Sequence, residues 1–109
     1  LLDINEILPC INLLLTDYSS ITTDYLLFDK PIIYIPYDLL TYERGVHFSD
    51  YVNWTPGIKV QSSESFYNAI EQSLNDPTKY SFDRKKLKNM MHKYVDGNSC
   101  ERLLDLINL

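Results

Sequence analysis

The chain has 109 residues, of which 15 are acidic and ten are basic, giving a net charge of −5, and 45% are hydrophobic. This length allows one small domain or part of one, and the composition predicts a chain that folds rather than one that stays disordered. The acidic excess argues against a nucleic-acid partner, because a phosphate backbone is held by an excess of lysine and arginine.

The two cysteines, Cys10 and Cys100, argue against a zinc site and a disulfide scaffold, because the sequence has no CxxC pair and no histidine at ligand spacing. We therefore expect a reducing, cytoplasmic setting, with no metal site and no cofactor. No apolar run approaches the roughly 18–20 residues that span a bilayer. Because the chain begins at Leu1 and a hydrophobic strand follows almost at once, we expect it to be a piece of a longer protein.

The first third of the chain alternates helix and strand patterns. Asp3 predicts the capped start of a short helix, and the aliphatic run at residues 11–16 predicts a buried strand. A helix of about ten residues follows from Ser19 and stops before Pro31. Residues 31–35 predict the next strand, so this region forms a βαβ unit with parallel strands and a right-handed crossover.

The middle of the chain predicts a long ordered loop and a return to regular structure. Residues 36–57 are rich in tyrosine, aspartate and turn residues and have no sustained period. Such loops inside compact domains are usually functional. Residues 58–60 predict a short edge strand, and Ser62 opens the helical part, residues 62–109.

Residues 79–94 predict an amphipathic helix that holds six of the ten basic residues. Its apolar stripe consists of Tyr80, Leu87, Met90, Met91 and Tyr94. We expect Arg84 and the neighbouring lysines to form either a plain solvated face or one that meets a membrane surface. Ser99 then caps a terminal helix. The predicted fold is α/β, a short parallel sheet flanked by helices, with a helical C-terminus.

The segment at residues 16–20 lies between the carboxyl end of the first strand and the start of the next helix, where open α/β sheets bind their ligands. The backbone N–H groups at this helix start, including that of Ile21, and the hydroxyls of Ser19 and Ser20 are suited to donating to phosphate oxygens. The alternative is purely structural: Ser19 caps the helix and Ser20 has no role.

Three further residues of this region are candidates. Asp24 lies four residues after Ser20, one helical turn along, where a carboxylate accepts hydrogen bonds from the ribose of a nucleotide whose phosphates lie at the helix start. Its alternative is a solvated helix aspartate. Asp17 is expected to orient the loop by accepting backbone N–H groups, and Thr16 supports the same loop.

Short motifs follow one another in order over nearly the whole chain. They are Asp3-Ile4-Asn5-Glu6, Leu13-Leu14-Leu15-Thr16-Asp17-Tyr18-Ser19-Ser20-Ile21, Asp24-Tyr25, Asp29-Lys30-Pro31-Ile32-Ile33, Tyr37-Asp38-Leu39, Tyr42, Arg44-Gly45, Pro56-Gly57 and Asp96-Gly97. Together they resemble the CDP-glycerol glycerophosphotransferase family, the teichoic-acid primases and polymerases of bacterial cell envelopes.

The resemblance implies the GT-B architecture, in which two Rossmann-like domains face a cleft, and makes this chain the second half of the C-terminal, nucleotide-binding domain. It implies three partners: CDP-glycerol as the donor, a lipid-linked acceptor, and the N-terminal GT-B domain of the same protein. Glycerol phosphate would pass to an acceptor hydroxyl with release of CMP. The protein would work in the cytoplasm, peripheral to the inner face of the cell membrane.

The resemblance also implies residue roles. Ser19 and Ser20 would hold the donor's pyrophosphate, and Asp24 the cytidine ribose. Arg44 matches as well and would clamp phosphate charge. Its alternative role is that of a surface arginine paired with a nearby carboxylate.

Neither His47 nor His92 matches the family's catalytic histidines, which lie upstream of this segment. No catalytic residue is therefore expected in the chain, and the chain alone should be inactive. Two other functions stay open at this point: a GT-B glycosyltransferase or epimerase that uses a nucleotide sugar, and a non-catalytic interaction module.

Overall fold

Residues 3–41 and 50–108 are described by the structure, a computed structural model of the chain. Three parallel strands form one sheet in the order β1-β2-β3. The strands are β1, Leu14–Thr16; β2, Ile32–Tyr34; and β3, Ile58–Lys59. All three predicted strands are present, each shorter than its predicted range, and the α/β class is confirmed.

Helices precede, connect and follow these strands in the described chain. They are α1, Ile4–Ile7; α2, Ile21–Tyr25; α3, Ser63–Asn75; α4, Ser81–Met91; and α5, Ser99–Leu106. The 3₁₀ turns Leu8–Cys10 and Leu26–Phe28 continue α1 and α2. Within residues 3–41 and 50–108, none of the helices has the length and apolar character needed to cross a membrane. The predicted helical C-terminus is confirmed.

Polar caps in the sequence determine where two of the helices begin. The Asp3 carboxylate accepts a backbone N–H of α1, as predicted. At the start of α3, Ser62 and Ser65 form a reciprocal capping box, with each hydroxyl accepting the other residue's backbone N–H at 3.2 Å. These bonds satisfy N–H groups that have no partner within the helix.

The terminal helix α5 begins one residue earlier than predicted. Its N-cap is Asn98 and not Ser99, which is the first helical residue. The shift follows from a local turn, because the Asp96 carboxylate accepts the Asn98 N–H at 3.1 Å. None of the α5 residues is buried within the described chain, so its apolar side chains, including Leu103 and Leu104, stay half exposed.

The core lies on both faces of the sheet, since successive side chains of a strand point in opposite directions. Ile32 and Tyr34 of β2 pack in one cluster with residues of α2 and α4. Ile33 of β2 packs in a second cluster with Val60, which follows β3, and with Ala69 of α3. The α2 and α4 helices therefore cover one face, and α3 covers the other. This arrangement is consistent with part of a Rossmann-like domain.

The first strand is less buried than predicted. Leu14 and Thr16 are buried, but Leu15 between them keeps 38% of its surface exposed. Leu15 points to the opposite face of the sheet. The described residues cover Leu15 only in part. The aliphatic run at residues 11–16 therefore did not by itself show that both faces of β1 are buried.

The basic helix α4 differs from its prediction at Arg84, which is buried with only 1% of its surface exposed. Its Nε donates to the Asp29 carboxylate at 2.9 Å, and its Nη2 donates to the Pro77 carbonyl at 2.7 Å. The inward side of α4 thus consists of Arg84, Leu87 and Met91. Met90 and Tyr94 of the predicted apolar stripe are at least half exposed. The prediction that Arg84 lies on an outward face was wrong, because a charged side chain can be buried where an oppositely charged partner binds it.

Lowering the pH should remove the stability that Asp29 supplies. Burial alone raises the pKa of this carboxyl, but hydrogen bonds from Ser81 and Arg84, with the charges of Arg84 and Lys85, outweigh it and hold the pKa below its usual value. The carboxylate therefore stabilises the fold above the ordinary aspartate pKa of about 4, and this stability is lost as the pH falls through the lower native pKa.

We expect Asp29→Asn to be most destabilising near neutral pH, with the loss shrinking between about pH 5 and pH 2. Urea unfolding of both proteins at stepped pH measures this difference. A loss that is the same at every pH would contradict the assigned role of the Asp29 charge.

The described parts of the long loop, residues 36–41 and 50–57, form turns at residues 37–41 and 51–54 and are otherwise irregular. Its end is fastened to the sheet by the Lys59 ammonium, which donates to the carbonyls of Thr55 and Gly57. Gly57 lies so close to β2 that a Cβ atom there would stand 2.1 Å from the Ile32 carbonyl oxygen. Only glycine fits this approach.

Candidate functional site

The loop at residues 16–20 leaves the carboxyl end of β1 as predicted. Thr16 is buried, and its carbonyl accepts the Ile35 N–H at 2.8 Å, so β1 and β2 stay joined up to the point where both strands end. Asp17 is exposed, and among residues 3–41 and 50–108 no backbone N–H donates to its carboxylate. Its support of the loop stays a prediction.

Ser19 and Ser20 lie exposed at the start of α2. The Ser19 hydroxyl accepts the Ile21 N–H at 3.4 Å, a long bond, and Ser20 occupies the N-cap without a side-chain capping bond. The Ser19 carbonyl accepts the Thr22 hydroxyl at 3.2 Å. The structure therefore supports the alternative for Ser19 only as a weak cap of α2. The exposed Ser20 hydroxyl makes no capping bond.

Ile21 and Asp24 lie on different sides of α2, Ile21 toward the core and Asp24 toward solvent. The Ile21 side chain packs against the core cluster, so the backbone of this residue, rather than its side chain, is the part suited to a ligand. Asp24 is exposed one turn along the helix. The structure therefore brings Ser19, Ser20, Ile21 and Asp24 to one short helix at the carboxyl edge of the sheet. Arg44 lies outside the described residues.

Three tyrosines, Tyr18, Tyr37 and Tyr51, form a group that borders this edge. This group was not predicted from the sequence. The Tyr18 hydroxyl accepts the Asp38 N–H at 3.2 Å, which ties the segment after β1 to the segment after β2. The Tyr18 ring centroid lies 6.3 Å from that of Tyr37 and 6.0 Å from that of Tyr51. Because parallel strands end at one edge, the positions of Tyr18 and Tyr37 shortly after β1 and β2 were the available signal, whereas no comparable signal marked Tyr51.

Two of these phenols, Tyr18 and Tyr51, have raised pKa values and are neutral at physiological pH. Burial raises the pKa of Tyr18, and the Asp38 side chain raises it further, whereas the bond from the Asp38 N–H lowers it. Burial also raises the pKa of Tyr51 to about 12, with the nearby Tyr18 adding to the shift. Tyr18 and Tyr51 therefore carry no phenolate charge that would repel an anion.

Only one of the two histidines lies within residues 3–41 and 50–108. His47 lies outside the described residues. His92 is half-buried at the end of α4, and its Nε2 lies 2.7 Å from the Thr23 carbonyl oxygen in α2. This contact joins residues 69 positions apart in the sequence.

The sequence matches the CDP-Glycerol:Poly(glycerophosphate) glycerophosphotransferase family over residues 2–109. It is 36% identical to a teichoic acid glycerol-phosphate primase of Bacillus subtilis, over 94% of this chain and 26% of that protein. It is 33% identical to a teichoic acid poly(ribitol-phosphate) polymerase of Bacillus spizizenii, over 96% of this chain and 16% of that protein. A teichoic acid poly(glycerol phosphate) polymerase of Bacillus subtilis is 36% identical over 96% of this chain and 14% of its own length.

The chain thus spans between 14% and 26% of the length of these relatives. The family match nevertheless runs through all the described strands and helices, including the edge where β1 and β2 end. The chain belongs to the CDP-glycerol:poly(glycerophosphate) glycerophosphotransferase family.

Proposed function

We propose that the protein containing this chain transfers glycerol phosphate from CDP-glycerol to a hydroxyl of a lipid-linked acceptor in the synthesis of a teichoic acid or a similar cell-envelope polymer. The observation that carries the proposal is the family match over residues 2–109. In this proposal the chain is the second half of a GT-B C-terminal domain and binds the donor. The N-terminal domain of the same protein forms the other wall of the cleft.

The proposed donor site is the start of α2. Backbone N–H groups there, with the hydroxyls of Ser19 and Ser20, donate to the diphosphate oxygens, and each charge-assisted bond is worth about 1.5–3 kcal/mol. The exposure of both serines and the absence of a side-chain capping bond at Ser20 support this role. Arg44 is proposed to add positive charge to the donor site, a role that rests on the family resemblance.

The reaction is a displacement at the β-phosphorus of the donor. The acceptor hydroxyl oxygen forms a bond to this phosphorus, the bond to the bridging oxygen breaks, and CMP leaves with the electron pair. A base outside this chain takes the hydroxyl proton. Negative charge that develops on the phosphate oxygens is stabilised at the start of α2, so this chain contributes positioning and electrostatic stabilisation.

Donor titrations of the full-length protein test the proposal. Calorimetry with CDP-glycerol, CDP-ribitol and UDP-glucose should give binding to a CDP-linked polyol and none to UDP-glucose. Binding to UDP-glucose alone would support a glycosyltransferase or epimerase that uses a nucleotide sugar. A folded protein that binds none of the three would support a non-catalytic interaction module.

CDP-ribitol is included because one observation favours it as a second candidate donor. A relative that is 33% identical over 96% of this chain is a poly(ribitol-phosphate) polymerase. The diphosphate and ribose contacts proposed here are common to both donors, so the relative affinity for the two polyols has to be measured.

Asp24→Asn should raise the Michaelis constant for the donor with only a modest change in turnover. The proposed role of Asp24 is to accept hydrogen bonds from the ribose, a contact that is the same in the ground state and in the transition state. Steady-state kinetics of the full-length enzyme measure both constants. A collapse of turnover at unchanged donor affinity would instead make Asp24 a catalytic acid or base.

The protein is proposed to act in the cytoplasm, peripheral to the inner face of the membrane, and α4 offers a basic surface for this. With Arg84 buried, the surface consists of Lys85, Lys86 and Lys88. At about 1 kcal/mol for each well-placed charge, changing all three to glutamine should weaken co-sedimentation of the full-length protein with anionic vesicles at low salt. Identical partitioning of the two proteins would identify α4 as an ordinary solvated surface.

A further inference from the structure

The helix that carries the proposed donor site is too short to hold its own position. α2 has five residues, continued by a three-residue 3₁₀ turn. Isolated helices shorter than about 12–15 residues are marginal in water. The placement of Ser20 and Asp24 therefore depends on what the rest of the fold does to α2.

One contact reaches the middle of α2 from the end of α4. The His92 Nε2 lies 2.7 Å from the Thr23 carbonyl oxygen. A carbonyl oxygen only accepts, so Nε2 carries the hydrogen in this bond. The N–H of the same residue, Thr23, donates to the Ser20 carbonyl at 3.0 Å. A single residue thus links His92 to the N-cap, and the next residue in the chain is Asp24.

A second set of contacts from α4 fixes the far end of the crossover. Asp29, which ends the 3₁₀ turn in the left-handed conformation, accepts the Ser81 hydroxyl at 2.7 Å and the Arg84 Nε at 2.9 Å. Between these points, Leu87 of α4 lies in the same buried cluster as Tyr25. The α4 helix and His92 at its end therefore hold the crossover at two points, the middle of α2 and the far end at Asp29.

We propose that α4 positions the donor-binding helix, and that His92 is a positioning residue for donor binding through the Thr23 carbonyl. The inference rests on the proposed function, since it concerns the site at Ser20 and Asp24. His92 touches neither the donor nor the reacting atoms. Losing its hydrogen bond frees the middle of α2 while the Asp29 end stays fixed, so the start of the helix and Asp24 lose their relative placement.

The experiment compares two variants of the full-length protein. His92→Leu keeps a side chain of similar bulk but has no donor, whereas His92→Gln keeps an N–H donor. We expect His92→Leu to raise the Michaelis constant for the CDP-linked donor about three- to tenfold with little change in turnover. His92→Gln should restore most of the donor affinity.

Ser62→Ala is the matched control for a merely structural role. It removes the capping box of α3, on the other face of the sheet, so it should lower the melting temperature without changing the Michaelis constant. An unchanged constant in His92→Leu, or an equal rise in Ser62→Ala, would overturn the inference while leaving donor binding itself intact. If the unchanged protein binds neither CDP-glycerol nor CDP-ribitol, the proposed function fails, and this inference fails with it.

Discussion

Replacing Asp29 with alanine should lower the free energy of unfolding by about 3–5 kcal/mol. The Arg84 guanidinium is almost fully buried, and its Nε donates to the Asp29 carboxylate at 2.9 Å. Without that carboxylate the positive charge stays buried and keeps only its contacts with main-chain oxygens, including that of Pro77. Urea unfolding of the full-length protein and of the variant measures the loss.

The partner substitution supplies the control, because the two sides of the ion pair are not equally buried. The Arg84 side chain is 2% exposed, whereas that of Asp29 is 34% exposed. Arg84→Met should therefore cost less than Asp29→Ala, since it leaves a carboxylate that water reaches and fills the space with apolar atoms. Adding Arg84→Met to Asp29→Ala should recover part of the loss. A loss below about 1 kcal/mol in Asp29→Ala would contradict the role of the pair.

The ion pair also marks the limit of prediction from the sequence. Strands β1 and β2 were predictable because their aliphatic runs are short and are separated by one helix and Pro31. The burial of Arg84 was not, because its partner lies 55 positions away, and local periodicity gives no information on which distant carboxylate meets a basic side chain. From the sequence alone, the basic Arg84 at a core-facing position of α4 therefore reads as part of a solvated face.

At the candidate site, too, some features follow from local sequence and others only from contacts between distant residues. The position of Ser19 and Ser20 follows from local order alone, since they stand between a strand and the helix that leaves it. The tyrosine group depends on how segments after β1 and β2 meet, and the link between His92 and Thr23 depends on where α4 ends. Local chemistry therefore predicted the start of the helix, and tertiary packing determines what surrounds it.

Ser20→Asp should weaken donor binding at least about tenfold more than Ser20→Ala does, because it places a carboxylate where the proposal puts a diphosphate. Ser20→Ala removes only a hydroxyl, since Ser20 makes no side-chain capping bond, and should weaken binding about two- to tenfold. Ser63→Asp is the matched control, adding the same charge at the start of α3. Calorimetric titration of CDP-glycerol into the full-length variants should therefore give the unchanged affinity for Ser63→Asp. Equal affinities for Ser20→Asp and Ser20→Ala would place the diphosphate away from the start of α2.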